Sequence, residues 1–310
     1  MPITVAGCGA LGSLLAARLI EGGAELQVYQ REGEQLNALK ENGITIERDR
    51  TGKRTNFGLS AISSQTRDLK PSSLIVVLVK SYATELLSPL KELLKPKGVA
   101  LTLQNGLGNM EKLVSIFGEY RVGAGIDTYG AYRIAPGVIG WGGDGFIRLG
   151  PAVPGHSIKW VANLLVEKGL NVAYREDPKP DLWKKLAINA MVNTASALTG
   201  MKNGELLDYP LMLDLMRHLG RESVSAAKRA GVEIDFEELW EMHLNSLKRT
   251  GNNKTSMLQD FESGRPSEID AISGSVLQYA RSGSEYPYTR SVHAMLKSME
   301  THRARKGNDQ

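Results

Sequence analysis

Short apolar runs alternate with helix-period patterns along the first half of the chain. Ile3–Ala6 and Leu26–Tyr29 read as strands, with a helical pattern over 11–21 between them. The run LIVVLV over 74–79 is continuously apolar, as expected of a parallel strand covered on both faces. Residues 44–47 and 55–59 flank the turn-like DRTGK and suggest a hairpin. A helical pattern over 82–94 stops before KPKG, and 99–104 and 122–126 read as two more strands. Repeated strand–helix alternation predicts an α/β fold built on a doubly wound parallel sheet. The glycine-rich stretch 130–150 reads as β-hairpin structure late in this domain. After Asp177-Pro-Lys-Pro the texture changes. From Asp181 the patterns are almost entirely helical, with turns at 200–204, Gly231, 251–253 and 264–266. The expected division is therefore residues 1–176 and an all-helical C-terminal domain over 177–310.

Composition narrows the class. A chain of 310 residues suits two domains, and 42% hydrophobic with 23% charged residues is ordinary for a globular protein. The net charge of +4 is spread out, except for a short basic tail from His302 to Lys306 that reads as solvated surface. No basic stripe or aromatic platform points to nucleic acid. Cys8 is the single cysteine, so no intrachain disulfide forms and a reducing compartment is the simplest inference. No ligands with metal spacing are present, so no metal is expected. The apolar start lacks a basic leader, and no stretch approaches the roughly 20 apolar residues of a membrane span. The expectation is a cytoplasmic protein without a membrane partner.

Gly7-Cys8-Gly9-Ala10-Leu11-Gly12 fits G-x-G-x-x-G between a strand and a helix. The first glycine permits a tight turn, the second lets the backbone approach a pyrophosphate, and the third lets helix and strand pack closely. The helix N-terminus offers free N–H groups to the phosphates. This predicts a Rossmann-type dinucleotide-binding domain. The next strand ends in Val28-Tyr29-Gln30-Arg31, where an NAD enzyme usually carries an acid for the ribose hydroxyl. Arg31 is suited instead to a 2′-phosphate, so the expected cofactor is NADPH/NADP+, although a surface arginine beside Glu32 is the plainer alternative. Lys80 and Asn105 follow predicted parallel strands, at the sheet end where such folds bind ligands. An ordinary solvated lysine and a simple Asn-Gly turn remain the alternatives. Cys8 reads as a small filler of the glycine loop.

In the helical half, DLWKKLAINAMVN over 181–193 places Lys185, Asn189 and Asn193 at i, i+4 and i+8, on one face of an otherwise apolar helix. One lysine with two amides suits an oxyanion and a carboxylate; a structural amide ladder with a solvent-facing lysine fits the pattern equally well. TSMLQD over 255–260 and SEID over 267–270 add hydroxyls and carboxylates that would ordinarily cap helices or sit in first turns.

Taken together, GCGALG, NGLG at 105–108, LWKKLAINAMVN, NGEL at 203–206, TSMLQD and SEID resemble the ketopantoate reductase family from residue 1 to about 295, in family order. The resemblance implies reduction of 2-dehydropantoate to (R)-pantoate by NADPH, on the route to pantothenate and coenzyme A. It implies Lys185 as general acid and Glu268 as a hydrogen-bonding residue that orients substrate or cofactor. Asn105 would lie near nicotinamide and substrate. Asn189, Asn193, Asn203 and Ser256 would hold the substrate. The loop Gly7 to Gly12, Arg31, Lys80, Glu268 and Ala131 would contact NADPH, with Ala131 in the only loosely similar TYGAYR. Two other readings stay open: a reductase of another branched or aromatic 2-oxo acid, and a non-catalytic NADP(H)-binding sensor. Oligomeric state is not legible in the sequence; a homodimer through the helical domain is one option.

Overall fold

The computed structural model describes residues 2–48 and 52–308. It divides into two compact units, one of residues 1–104 with 109–178, the other of 105–108 with 179–310. The short 105–108 segment thus groups with the helical unit, so the division is not a single cut in the sequence.

The first unit holds an eight-stranded sheet in the order β12-β11-β8-β7-β6-β1-β2-β5. Its strands are β1 (Ile3–Ala6), β2 (Leu26–Tyr29), β5 (Ala61–Ser63), β6 (Ser72–Val77), β7 (Leu94–Thr102), β8 (Val122–Asp127), β11 (Ile147–Pro151) and β12 (Val172–Tyr174). All pairings are parallel except β11 with β8. Strand β6 shows why its sequence is continuously apolar. Leu74 and Val76 join one buried cluster, with Leu14, Leu15 and Leu19 of α1 (Ala10–Glu21). Ile75 and Val77 join the other, with Leu87, Leu90 and Leu113. Leu113 lies on α3 (Asn109–Phe117). A strand buried on both faces has no polar side to alternate with.

A second sheet, in the order β4-β3-β10-β9, pairs the hairpin β3 (Ile44–Arg48) and β4 (Arg54–Phe57) with the hairpin β9 (Gly130–Ala135) and β10 (Val138–Gly143). Both hairpins are where the alternation put them, though residues 49–51 of the DRTGK turn lie outside the described residues. The parallel join of β10 to β3 and the placement of β11 in the main sheet were not legible. Helices α2 (Glu34–Asn42) and α4 (Lys159–Glu167) complete this unit.

One element departs from expectation. The helix expected over 82–94 is a run of 3₁₀ turns over Ser81–Lys91, and KPKG is part of β7. Pro89 lies inside the run. It lacks an N–H for an i−4 carbonyl and disfavours α geometry at Ser88, which blocks a regular α-helix.

The second unit is helical: α5 (Lys179–Thr199), α6 (Pro210–Arg229), α7 (Phe236–Arg249), α8 (Ser256–Glu262), a π-helical stretch over Asp270–Gly274 running into α9 (Ser275–Leu277), and α10 (Pro287–Asn308). Its core gathers Trp183, Met191, Leu219, Trp240, Phe261, Ile272 and Leu296. Helix α5 is the hub, packing against α6, α8, α10 and the π-helical stretch. Among the described residues no helix is long and apolar enough to cross a membrane.

Candidate functional site

In the first unit the chain runs from β1 outward to β2 and β5, then returns to form β6 on the other side of β1. The carboxyl ends of β1 and β6 straddle this reversal, where open α/β sheets leave a crevice. The glycine loop follows β1. Gly7 takes φ +94°, and a Cβ there would lie 2.6 Å from the Val79 nitrogen, so the loops after β1 and β6 touch through a residue that must be glycine. A Cβ on Gly12 would lie 2.0 Å from the Gly7 carbonyl oxygen. Gly9 differs: it is exposed, and a Cβ there would meet nothing within 4 Å. It precedes α1 as an N-cap with no side-chain hydrogen bond. Ala10 and Leu11 open the helix. An exposed glycine at a helix start that no side chain caps fits a dinucleotide pyrophosphate.

Neighbours fix the loop. The Cys8 N–H donates to Gln30 Oε1 at 2.8 Å. The Cys8 carbonyl accepts from Gln35 Nε2 at 2.8 Å and from Ser13 Oγ at 3.2 Å. Burial pushes the Cys8 thiol up to about 12, against a smaller lowering by the Ser13 hydrogen bond, so the sulfur is a packed, un-ionised filler. Arg31 is exposed just beyond β2, and Lys80 is the residue before the 3₁₀ run. Ala131 lies on β9, opposite Trp141 of β10. The sequence reading missed Gln30 and Gln35; no spacing rule marks a glutamine that braces a loop from another element.

In the second unit, Lys185, Asn189 and Asn193 share one face of α5, Lys185 and Asn189 half-buried and Asn193 buried. The Asn189 side-chain nitrogen is buried without a hydrogen-bond partner among the described residues, as is Oδ1 of Asn203. Asn203 is otherwise held firmly: its Nδ2 donates to Thr250 Oγ1 at 2.8 Å and its N–H to the Asn253 carbonyl at 3.0 Å. The cap of α8 is Thr255, whose hydroxyl accepts the Leu258 N–H at 3.2 Å. Ser256 is thereby freed from capping and exposed at the first helical position. Two buried, oriented amide atoms without partners are costly unless a polar ligand meets them.

Glu268 is 6% exposed. Asn105 Nδ2 donates to its Oε2 at 3.3 Å. The Leu107 N–H donates to the Ala271 carbonyl at 3.0 Å, locking the 105–108 loop to the π-helical stretch. Gly106, at φ +82°, makes this possible: a Cβ would lie 2.3 Å from the Ala271 oxygen. Lys185, Asn189 and Asn193 therefore stand on α5, which packs against α8 carrying Ser256 and against the stretch that follows Glu268.

Comparison with known proteins identifies the family. A family profile described as ketopantoate reductase PanE/ApbA matches residues 3–154, and its C-terminal counterpart matches 177–300. The 2-dehydropantoate 2-reductase of Pyrococcus horikoshii is 30% identical over 305 residues, covering 97% of this chain and 98% of the relative. That of Halobacterium salinarum is 30% identical over 284 residues, covering 91% and 92%. The crystal structure of 2-dehydropantoate 2-reductase from Geobacter metallireducens superposes with a TM-score of 0.87 at 28% identity, covering 96% of this chain and 99% of that one. A ternary structure of D-mandelate dehydrogenase with NADH and anilino(oxo)acetate gives 0.92 at 23% identity, covering 98% and 100%, a likeness of fold. The chain belongs to the ketopantoate reductase PanE/ApbA family of NADP-dependent oxidoreductases.

Proposed function

We propose that this chain reduces 2-dehydropantoate to (R)-pantoate with NADPH, with Lys185 as general acid. The observation that carries the reading is the face of α5, where a lysine stands with Asn189, whose amide nitrogen is buried and unpartnered. NADPH, when bound, supplies the hydride. Gly7 to Gly12 and the start of α1 would hold its pyrophosphate, and Arg31 its 2′-phosphate. Lys80, Asn105, Ala131 and Glu268 would complete its surroundings.

Hydride addition at the keto carbon moves the carbonyl electron pair onto oxygen. The Lys185 ammonium stabilises that charge and gives up its proton to the oxygen, leaving a neutral amine and an alcohol. Asn189, Asn193, Asn203 and Ser256 orient the carboxylate and hydroxyl of the substrate, since amides and hydroxyls can donate to both. Glu268, held by Asn105, accepts a hydrogen bond from substrate or cofactor. The first unit is then the NADP-binding domain, the second the substrate and catalytic domain, and the setting a cytoplasmic step of pantothenate and coenzyme A synthesis.

The test is loss of NADPH absorbance with purified protein and 2-dehydropantoate, beside benzoylformate, branched 2-oxo acids and NADH. Turnover fastest with 2-dehydropantoate and NADPH supports the proposal. Turnover confined to another 2-oxo acid overturns the substrate and keeps the chemistry. NADPH binding without any turnover points to a sensor.

A further inference from the structure

Helix α10 grips both flanks of Glu268. His293, Lys297 and Glu300 recur at i, i+4 and i+7 and share one face of the helix. Lys297 Nζ donates to Asp270 Oδ2 at 2.9 Å and lies 3.5 Å from Glu300 Oε2. His293 Nε2 lies 3.0 Å from Asp270 Oδ1. Glu300 Oε1 in turn accepts the backbone N–H of Ser267 at 2.8 Å. Ser267 immediately precedes Glu268, and Asp270 follows it by two positions. One lysine thus engages Asp270, two positions after the buried glutamate, and Glu300 of its own helix, which in turn holds the residue before the glutamate.

The flanking backbone has reason to need such support. Ser267 and Glu268 are buried ahead of regular helix, and Asp270 begins a π-helical stretch, a wide-turned geometry often found at functional sites. Burial raises the Asp270 carboxyl, but hydrogen bonds from Lys297 and His293 outweigh it and hold the group below the usual range. The Lys297 ammonium is raised in turn, chiefly by its hydrogen bond to Asp270. The Lys297 and Asp270 side chains are 41% and 68% exposed, so their pairing contributes little to overall stability. Its consequence is local: small displacements of a group that meets substrate or cofactor cost rate steeply.

We propose that Lys297 is a positioning residue for the reductase reaction: by joining Asp270 to Glu300 it clamps the turn over 267–270 and fixes the direction of the Glu268 carboxylate. This rests on the reading of Glu268 as a residue of the site. The experiment is a double-mutant cycle of Lys297→Met and Glu268→Gln, with Lys297→Arg as the conservative variant. It reads kcat/KM for 2-dehydropantoate with NADPH, and Tm. Lys297→Met is expected to lower kcat/KM by about tenfold or more while Tm moves by no more than about 4 °C. Lys297→Arg, whose guanidinium reaches both carboxylates, recovers most of the loss. In the Glu268→Gln background Lys297→Met costs nothing further. Equal fractional losses in both backgrounds overturn the clamp, as does a Lys297→Met variant of full activity beside a damaged Glu268→Gln. Unchanged kcat/KM in Glu268→Gln alone overturns the role of Glu268 itself, and the clamp with it.

Discussion

Asn105 donates its side-chain N–H to the Glu268 carboxylate at 3.3 Å, across 163 positions of sequence. At this contact the buried acid meets a neutral donor. Asn105→Asp would set a like charge beside it in a buried place, where the two repel. We expect kcat/KM for Asn105→Asp to fall by about tenfold or more near neutral pH, with the loss shrinking as pH is lowered and one carboxyl protonates. Asn105→Ala should lose activity without that pH trend. An Asp-to-Ala activity ratio constant across pH would dismiss the electrostatic account.

Gly9 and Gly12 belong to one motif but answer to different constraints. A Cβ at Gly12 lies 2.0 Å from the Gly7 oxygen, whereas one at Gly9 meets nothing. Gly12→Ala should therefore destabilise the first unit severely. Gly9→Ala should keep the wild-type Tm and raise the NADPH Kd by about tenfold or more, because its methyl would stand where the proposed site receives the pyrophosphate. Titration calorimetry beside thermal melts checks both; wild-type affinity in Gly9→Ala would remove the loop from the cofactor site.

Arg31 stands exposed beyond β2, beside Glu32, and is the residue proposed to meet the 2′-phosphate. Arg31→Glu is expected to weaken NADPH by about tenfold or more while leaving NADH nearly unaffected or improved. Equal Kd changes for the two cofactors would assign the 2′-phosphate to another residue.

Lys185 carries the proton in the proposed chemistry. Lys185→Met should reduce kcat by about 10²–10⁴ while NADPH affinity survives. Stopped-flow single turnovers separate chemistry from product release. Wild-type turnover would take Lys185 out of the reaction.

The legible parts of the fold were those with local causes. The glycine loop, the two-faced burial of β6 and the Lys185–Asn189–Asn193 face of α5 each follow from spacing within one element. Parts set by contacts between distant segments were not legible. Nothing in NGLG says that Leu107 will bond Ala271, and nothing in the last helix says that Lys297 will reach Asp270. The helical pattern over 82–94 folds instead as a run of 3₁₀ turns, because Pro89 inside it cannot sustain a regular α-helix. Ser256 and Thr255 show a one-residue ambiguity: both can cap, and only the backbone decides that Thr255 does, with φ −64° and ψ 156°.

His243 makes the stability of the helical unit sensitive to acid. It lies on α7 at 1% exposure, with neither ring nitrogen hydrogen-bonded among the described residues and the Trp240 ring 5.9 Å away. Burial lowers its pKa from 6.5 to about 4. Between those values the unfolded chain binds a proton that the native chain refuses. Its share of the stability is therefore complete above the unfolded pKa and is lost as pH falls toward the folded one. The loss amounts to about 3 kcal/mol across the window. His243→Phe has no such proton to bind, and it also removes two unpaired polar atoms from the core, so near pH 7 it should be close to neutral in stability. Carboxylates elsewhere titrate alike in both proteins. Denaturant midpoints of the two should therefore separate steadily as pH drops below about 6.5, with the variant the more resistant; parallel curves would show that His243 takes up its proton in the native state.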